Sequence, residues 1–396
     1  MAFPAGDFHV GAEEIINWTI MSEYQYYEFR AVDTPLTESQ KADVSKLSSR
    51  AYVTSHSASF VYNYRDFPGN TEKLMTSYFD AMLYMANWGS RQLVFRLPAT
   101  LVDMKQLGLY CISEEIDRRK TPDKKHIILE FEFHDEDQSA WTEGEGWLDD
   151  LIELREELIN GDFRVLYLAW LKAAEKAFLM EDIDADTLEP PLPDGLKDLS
   201  PAQQVFVKYL EINKAIIAVA SQNSPKIQKK LHFEAYIEKL PLAEQHDYLT
   251  RLSRGEKNLS ALLNKRLQEL AYQESKPQED ANNINRRTIS ALIESSKVWQ
   301  DNKKKKAQRK AKLARQREIE ALAPKKNMIW DKIEASIEEK KATAYKNAID
   351  HLKNLRDLAE YQGELKRFTS RLADIKKAYS NRPALIRRMR DAKLIS

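Results

Sequence analysis

From Asn302 to Arg317 the chain offers a hydrophobic core only Ala307, Ala311, Leu313 and Ala314. What fills that stretch, KKKKAQRKAKLARQR, has high helix propensity throughout, so a helix is the regular structure it favours. Lys297 to Arg317 holds ten Lys or Arg and one acid, Asp301. At helical spacing these cations point in all directions, and pairs such as Lys305 with Arg309 and Lys306 with Lys310 repel across one turn by about a few tenths of a kcal/mol each. Such a helix cannot be buried. An unbroken helix from Ile284 to Leu322 would be about 58 Å long at 1.5 Å per residue and must project from any compact body.

This run is the extreme of a polarity that the totals conceal. Lys plus Arg is 61 and Asp plus Glu is 61, yet residues 1–150 carry net −11, residues 151–284 net −5 and residues 285–396 net +16. An acidic head with a basic tail points to a polyanionic partner or to self-docking. Charged residues make up 31% of the chain, above the roughly 25% of an average domain, as long solvated helices require. Gly is only 11 of 396 residues, which argues against doubly wound sheets and barrels built on many tight turns and phosphate-cradling loops. The single cysteine, Cys111, excludes an intramolecular disulfide and thiolate-rich zinc sites, and fits a reducing compartment. The opening MAFPAGDFHVGAEEIINW lacks a basic n-region and is broken by Asp7, Glu13 and Glu14, so it does not read as a secretory signal. Uninterrupted apolar runs such as Ala215 to Ala220 are too short to span a bilayer. A cytoplasmic protein without a membrane partner is expected.

The first 138 residues alternate strand and helix signals. Tyr24 to Val32 is aromatic and β-branched, and Thr37 with Gln40 forms a capping box that opens a helix to about Leu47. Tyr52 to Tyr64 alternates as one long strand, with Thr54-Ser55-His56 in its middle, and a turn follows at DFPGN. Leu74, Met75, Tyr78, Phe79, Met82, Leu83 and Ala86 recur at helical spacing up to Gly89. Leu93, Phe95 and Leu97 mark the next strand, and Ile127, Leu129, Phe131 and Phe133 another. The order β, α, β, α, β, β predicts an α+β head: an antiparallel sheet covered by two helices, with a ferredoxin-like fold as the specific expectation.

Beyond the head the signals are helical. Residues 139–180 read as connecting helices split at Asn160 and Gly161, and 181–199 as an acidic, proline-rich linker over the surface. Residues 200–272 form a helical region opened by Ser200, Pro201 and Gln203, with 273–285 as a polar linker. Residues 286–396 form the basic tail, in which stripes through Ile329, Ile333 and Ile337, then Tyr345, Ile349, Leu352 and Leu355, then Leu365, Phe368, Leu372 and Ile375 suit a helical bundle.

Several constellations compete with the basic helix for a functional role. Glu130, Glu132 and His134 share one strand face, followed by Asp135, Glu136 and Asp137, a pattern that could hold a divalent cation or share a proton. With no second ligand cluster at recognisable spacing, an ordinary solvated sheet face is the favoured reading. The aromatic strand Tyr52 to Tyr64 could stack bases, but the head's negative charge repels phosphate. Gly144-Glu145-Gly146 lacks the third glycine of a dinucleotide loop, Ser55 lacks a nucleophile-elbow context, and Cys111 reads as a core thiol.

Two stretches, YYEFRAVDTPLTESQ (Tyr26 to Gln40) and YFDAMLYMANWGSRQLVFRLP (Tyr78 to Pro98), resemble the opening of a family of bacterial proteins of uncharacterised activity, and EPPLPDGLKDLSPAQQ (Glu189 to Gln204) continues the likeness. Ala348 to Met389 resembles helical tails of bacterial SWIM zinc-finger proteins. A SWIM finger needs Cys and His ligands, and the only thiol here lies in the head, so the resemblance carries no zinc site and no catalytic residue. It implies an interaction module near nucleic-acid-associated machinery.

Together these features predict a non-enzymatic interaction or scaffold protein of the bacterial cytoplasm, bridging partners through Lys303, Lys304, Lys305, Lys306, Arg309, Lys310, Lys312, Arg315 and Arg317. A protein partner is the first expectation, sequence-nonspecific nucleic-acid binding by the same helix the second, and self-association a further one. An enzyme centred on Glu130, Glu132 and His134 is the alternative from another class. No cofactor or metal is expected.

Overall fold

The computed structural model describes residues 23–64, 66–135, 143–226, 233–275 and 286–395. The N-terminal stretch read above for a signal, Glu136 and Asp137, and nearly all of the expected 273–285 linker lie outside them. The chain divides into two compact units between Trp299 and Gln300.

The first unit is built on a seven-stranded sheet: β1 (Gln25–Arg30), β2 (Tyr52–Val53), β3 (Ser57–Tyr62), β4 (Ala81–Ala86), β5 (Ser90–Pro98), β6 (Ile116–Lys120) and β7 (His126–His134), in the order β2-β3-β1-β4-β5-β7-β6. Every neighbouring pair is antiparallel. The α+β class and antiparallel sheet follow the sequence pattern. Within the sheet, the first four strands and the helices Glu38–Ser45 and Thr71–Ser77 run β-α-β-β-α-β and lie in the order β2-β3-β1-β4, so each helix links two parallel strands separated by a third, a split βαβ arrangement that β5, β7 and β6 extend beyond β4.

Three local elements differ from the sequence reading. Residues 74–86 are not one helix: Asn70 caps a short helix, Thr71–Ser77, by accepting from Lys73 N at 2.7 Å, and the chain then turns at Asp80 into β4. In β4, Leu83 and Met85 pack on one face of the sheet while Met82 packs on the other. A strand buried on both faces reads as a continuous apolar run, which a helical template matches by accident. Tyr52 to Tyr64 is likewise not one strand. Thr54 Oγ1 accepts from His56 N and Ser57 N at 3.1 and 2.9 Å, folding β2 back on β3, so Thr54-Ser55-His56 is a hairpin turn. Finally, β6, sequence IDRRK, escapes pattern reading because it is an edge strand whose only buried residue is Ile116.

One sheet face, with Phe29, Phe60, Met82, Val94 and Ile128, is covered by Thr71–Ser77 and by Glu38–Ser45, whose capping box forms as expected: Gln40 N donates to Thr37 Oγ1 at 3.3 Å and Thr37 N to Gln40 Oε1 at 2.8 Å. The opposite face packs on helices from further along the chain. Leu93, Phe95, Leu129 and Phe131 share a core with Leu148, Leu154, Leu166, Phe206 and Ile216. At its centre lies Arg164–Leu179, apolar around most of its circumference and therefore buried. The segments read as a head and a separate helical region thus share one core. The Ser200/Gln203 capping box of helix Pro201–Tyr209 also forms.

In the second unit, helices Lys326–Glu338, Ala342–Tyr361, Leu365–Ala378 and Pro383–Asp391 bury the stripes visible in the sequence: Ile329, Ile333 and Ile337 pack with Ile349, Leu352, Leu355, Phe368, Leu372, Leu385 and Met389. The basic stretch is helical from Ile289 to Glu320, about 48 Å at 1.5 Å per residue. Among the described residues no helix is long and apolar enough to cross a membrane.

Candidate anion-binding site

The base of the basic helix is held in the first unit by packing and by a buried ionic knot. Ile289, Leu292, Ile293 and Ser296 are buried. Just before them, Arg287 donates from Nε and Nη2 to the two carboxylate oxygens of Glu189 at 2.8 and 2.9 Å, and its backbone N donates to the same group at 3.0 Å. Tyr167 Oη donates to Glu189 as well, and Leu188 and Thr288 form a β-bridge. Glu189 is only 1% exposed. Its bonds hold the Arg287 guanidinium firmly charged although burial opposes this, while burial and the Glu189 charge push the Tyr167 hydroxyl up. The stretch expected as a surface linker is therefore anchored in the core. Tyr110 Oη donates to Pro191 O at 3.0 Å, and Arg164 Nη1 to Asp198 O at 2.7 Å.

Beyond Trp299 the helix changes character, and residues 301–315 are all exposed. Of the nine cations expected to form the contact surface, Lys304, Lys305, Lys306, Arg309, Lys310, Lys312 and Arg317 make no ion pair with any described residue of the second unit, to which they belong. Lys303 is exposed like them but is not without a contact. Arg315 is tied into the second unit, donating to Asp357 at 2.8 Å and Asn354 at 3.0 Å with Glu318 at 3.4 Å. Gln316 donates to Tyr361 Oη at 3.1 Å, and that hydroxyl donates to Glu320, which fixes the distal end. A helix exposed all round normally carries oppositely charged pairs one turn apart. Here the central stretch has Asp301 as its single acid.

The competing constellations are engaged in structure. Glu130 accepts from Gln92 Nε2, and from Arg119 Nη1 at 2.6 Å, and Arg119 also binds Asp117 at 2.8 Å. Ser90 Oγ and His134 Nδ1 are 2.8 Å apart in a hydrogen bond. Burial, then the charge of Glu130, pushes the Glu132 carboxyl up. Among the described residues no group of three His, Cys, Asp or Glu is placed to hold a metal ion. Burial raises the Cys111 thiol despite the opposing pull of Arg118, which disfavours the thiolate. The Phe60 ring of β3 packs inward, meeting Phe67 at 4.8 Å and Phe29 at 6.0 Å between centroids, so it offers no open stacking face. A cleft of about 530 Å³ of mixed polar and apolar lining includes Asp103, Asn160, Lys265 and Glu269 beside Leu101, Ile159 and Phe163. Lys265 donates to the carbonyls of Thr100 and Leu101 at 2.9 and 3.3 Å, and Asp103 caps a helix through Lys105 N at 2.9 Å, so both charges are committed to the fold.

Sequence reasoning missed a second buried network. Arg155, 0% exposed, donates to Arg96 O at 3.0 Å and Asp33 Oδ2 at 2.6 Å. Asp80, also 0% exposed, accepts from Arg96 Nη2 at 2.7 Å and from the backbone N of Val32 and Asp33 at 2.7 and 2.9 Å. A signal was present, since Arg155 falls on the stripe Leu151, Leu154 and Leu158 that faces the core. This network joins three distant segments, which marks it as architectural. The chain matches no known protein family, no curated protein and no solved structure.

Proposed function

We propose that this is a non-enzymatic interaction protein that captures a polyanionic partner through the basic helix. The carrying observation is the contrast along one helix: its distal end is fixed by hydrogen bonds, while seven cations between Lys304 and Arg317 lack a counter-charge among the described residues of the second unit. Like charges one turn apart cost stability, and an external anion relieves that cost. Anchoring of the distal end to Asn354, Asp357 and Tyr361 within the second unit helps to pre-order the cations before a partner binds. Partner bridging in the bacterial cytoplasm belongs to this reading.

Retention on immobilised heparin, eluted with a salt gradient, tests it. The wild-type chain is expected to elute well after a variant carrying K304Q, K305Q, K306Q, R309Q and K310Q. Gln retains helix propensity while removing charge, so helical circular dichroism should match. Co-elution of two equally folded proteins would overturn the assignment of binding to this helix.

A further inference from the structure

The cations surround the helix, and that geometry restricts the shape of what can neutralise them. At about 100° per residue, Lys304 lies on one side, Lys312 and Lys305 follow about a quarter turn on, Arg309 comes next, and Lys306, Arg317 and Lys310 occupy the remaining side. No arc wider than about a third of the circumference lacks a cation. An acidic protein surface meets one side of a helix and leaves the others unmatched. A concave partner with negative charge on both walls meets most of them at once.

We infer that the helix is shaped to enter the major groove of B-form duplex DNA. The inference rests on the polyanion-binding reading above and names its partner. That groove is about 12 Å wide and admits one α-helix, whose own diameter with side chains is about 10–12 Å, and phosphates line both of its edges. The exposed stretch 301–315 rises about 22 Å, enough to follow the groove past several phosphates on each strand. Small Ala307, Ala311 and Ala314 let the backbone approach the groove floor, and Lys and Arg reach outward to the walls. Asn302 and Gln308 are the only amide side chains the stretch offers to base edges, so phosphate contact dominates and sequence preference is weak. The deep, narrow major groove of A-form RNA does not admit a helix.

The test compares a short mixed-sequence DNA duplex, the RNA duplex of the same sequence and polyglutamate by fluorescence anisotropy, with dimethyl sulfate probing of guanine N7 on the DNA. If about six phosphates are neutralised, DNA affinity falls about a thousandfold between about 50 and 200 mM salt, and the triple variant K304Q/K305Q/K306Q reduces the log–log slope by about 2.7. Guanine N7, which lies in the major groove, becomes protected, and the RNA duplex binds at least about tenfold more weakly. Unprotected N7, or equal affinity for the RNA duplex, would overturn groove entry while heparin retention still upheld polyanion capture. Tighter binding to polyglutamate than to DNA would assign the helix to an acidic protein and overturn the inference in that way. Absence of salt-dependent binding to all three probes, together with no heparin retention, would remove both readings.

Discussion

The buried charges of the first unit and the exposed charges of the basic helix are handled in opposite ways. Arg155, Asp80 and Glu189 are almost fully enclosed, and each makes several hydrogen bonds with neighbours of opposite charge or with backbone groups. A buried ion without such partners would cost several kcal/mol, so it persists only where the fold provides them. Between Lys304 and Lys312 the cations stand exposed, where an unpaired charge costs little, and no carboxylate among the described residues of the second unit pairs with them. The difference separates charge that builds the molecule from charge left available to something else.

Mutations break this comparison most visibly from the buried side. Arg155→Ala leaves Asp33 without its guanidinium and the Arg96 carbonyl without its donor, and should lower unfolding free energy in urea by about 3–5 kcal/mol. Glu189→Gln keeps the shape but weakens the acceptor shared by Arg287 and Tyr167. A loss of about 2–3 kcal/mol is expected, with faster amide exchange at residues 286–293 if the knot seats the helix base.

A smaller effect is expected at His126. Burial, and then the positive charge of Arg96, hold its imidazole below the ordinary value, against the weaker opposite pull of Asp123, Asp80 and Asp33. The unfolded chain therefore takes up the proton first. Stability is full above about pH 6.5 and declines as pH falls through that value toward the lower folded one. Melting at about pH 7.5 and 5.5 should show a larger acid loss for wild type than for His126→Gln; equal losses would mean that the ring is not perturbed. The smallest effect belongs to the helix. K304Q/K305Q/K306Q should move stability by no more than about 0.5 kcal/mol, and slightly upward at low salt where repulsion is strongest. A large loss would show that these lysines support the fold.

What the sequence reveals follows the same division. The basic helix is legible because nothing between Lys303 and Lys312 except alanine could enter a core, and charge alone then dictates exposure. Both capping boxes are legible because Thr37 with Gln40 and Ser200 with Gln203 act over three residues. The stripes of the second unit are legible because each helix buries one face. Ala81–Ala86 misleads because burial on both sheet faces erases the period that would mark a strand. The ionic knots are hidden for another reason: Arg155 meets Asp33 across 122 positions and Arg287 meets Glu189 across 98. No local spacing encodes such pairs. Glu189 even lies in a proline-rich acidic stretch whose composition suggests solvent.

Amide hydrogen exchange across residues 301–315, with and without soluble heparin, tests the central claim most directly. Unmatched cations should make this stretch the least protected part of helix Ile289–Glu320, and an added polyanion should slow its exchange severalfold while leaving residues 289–296 unchanged. Full protection without heparin, unaltered by its addition, would contradict the account, because the helix would then be a self-sufficient strut.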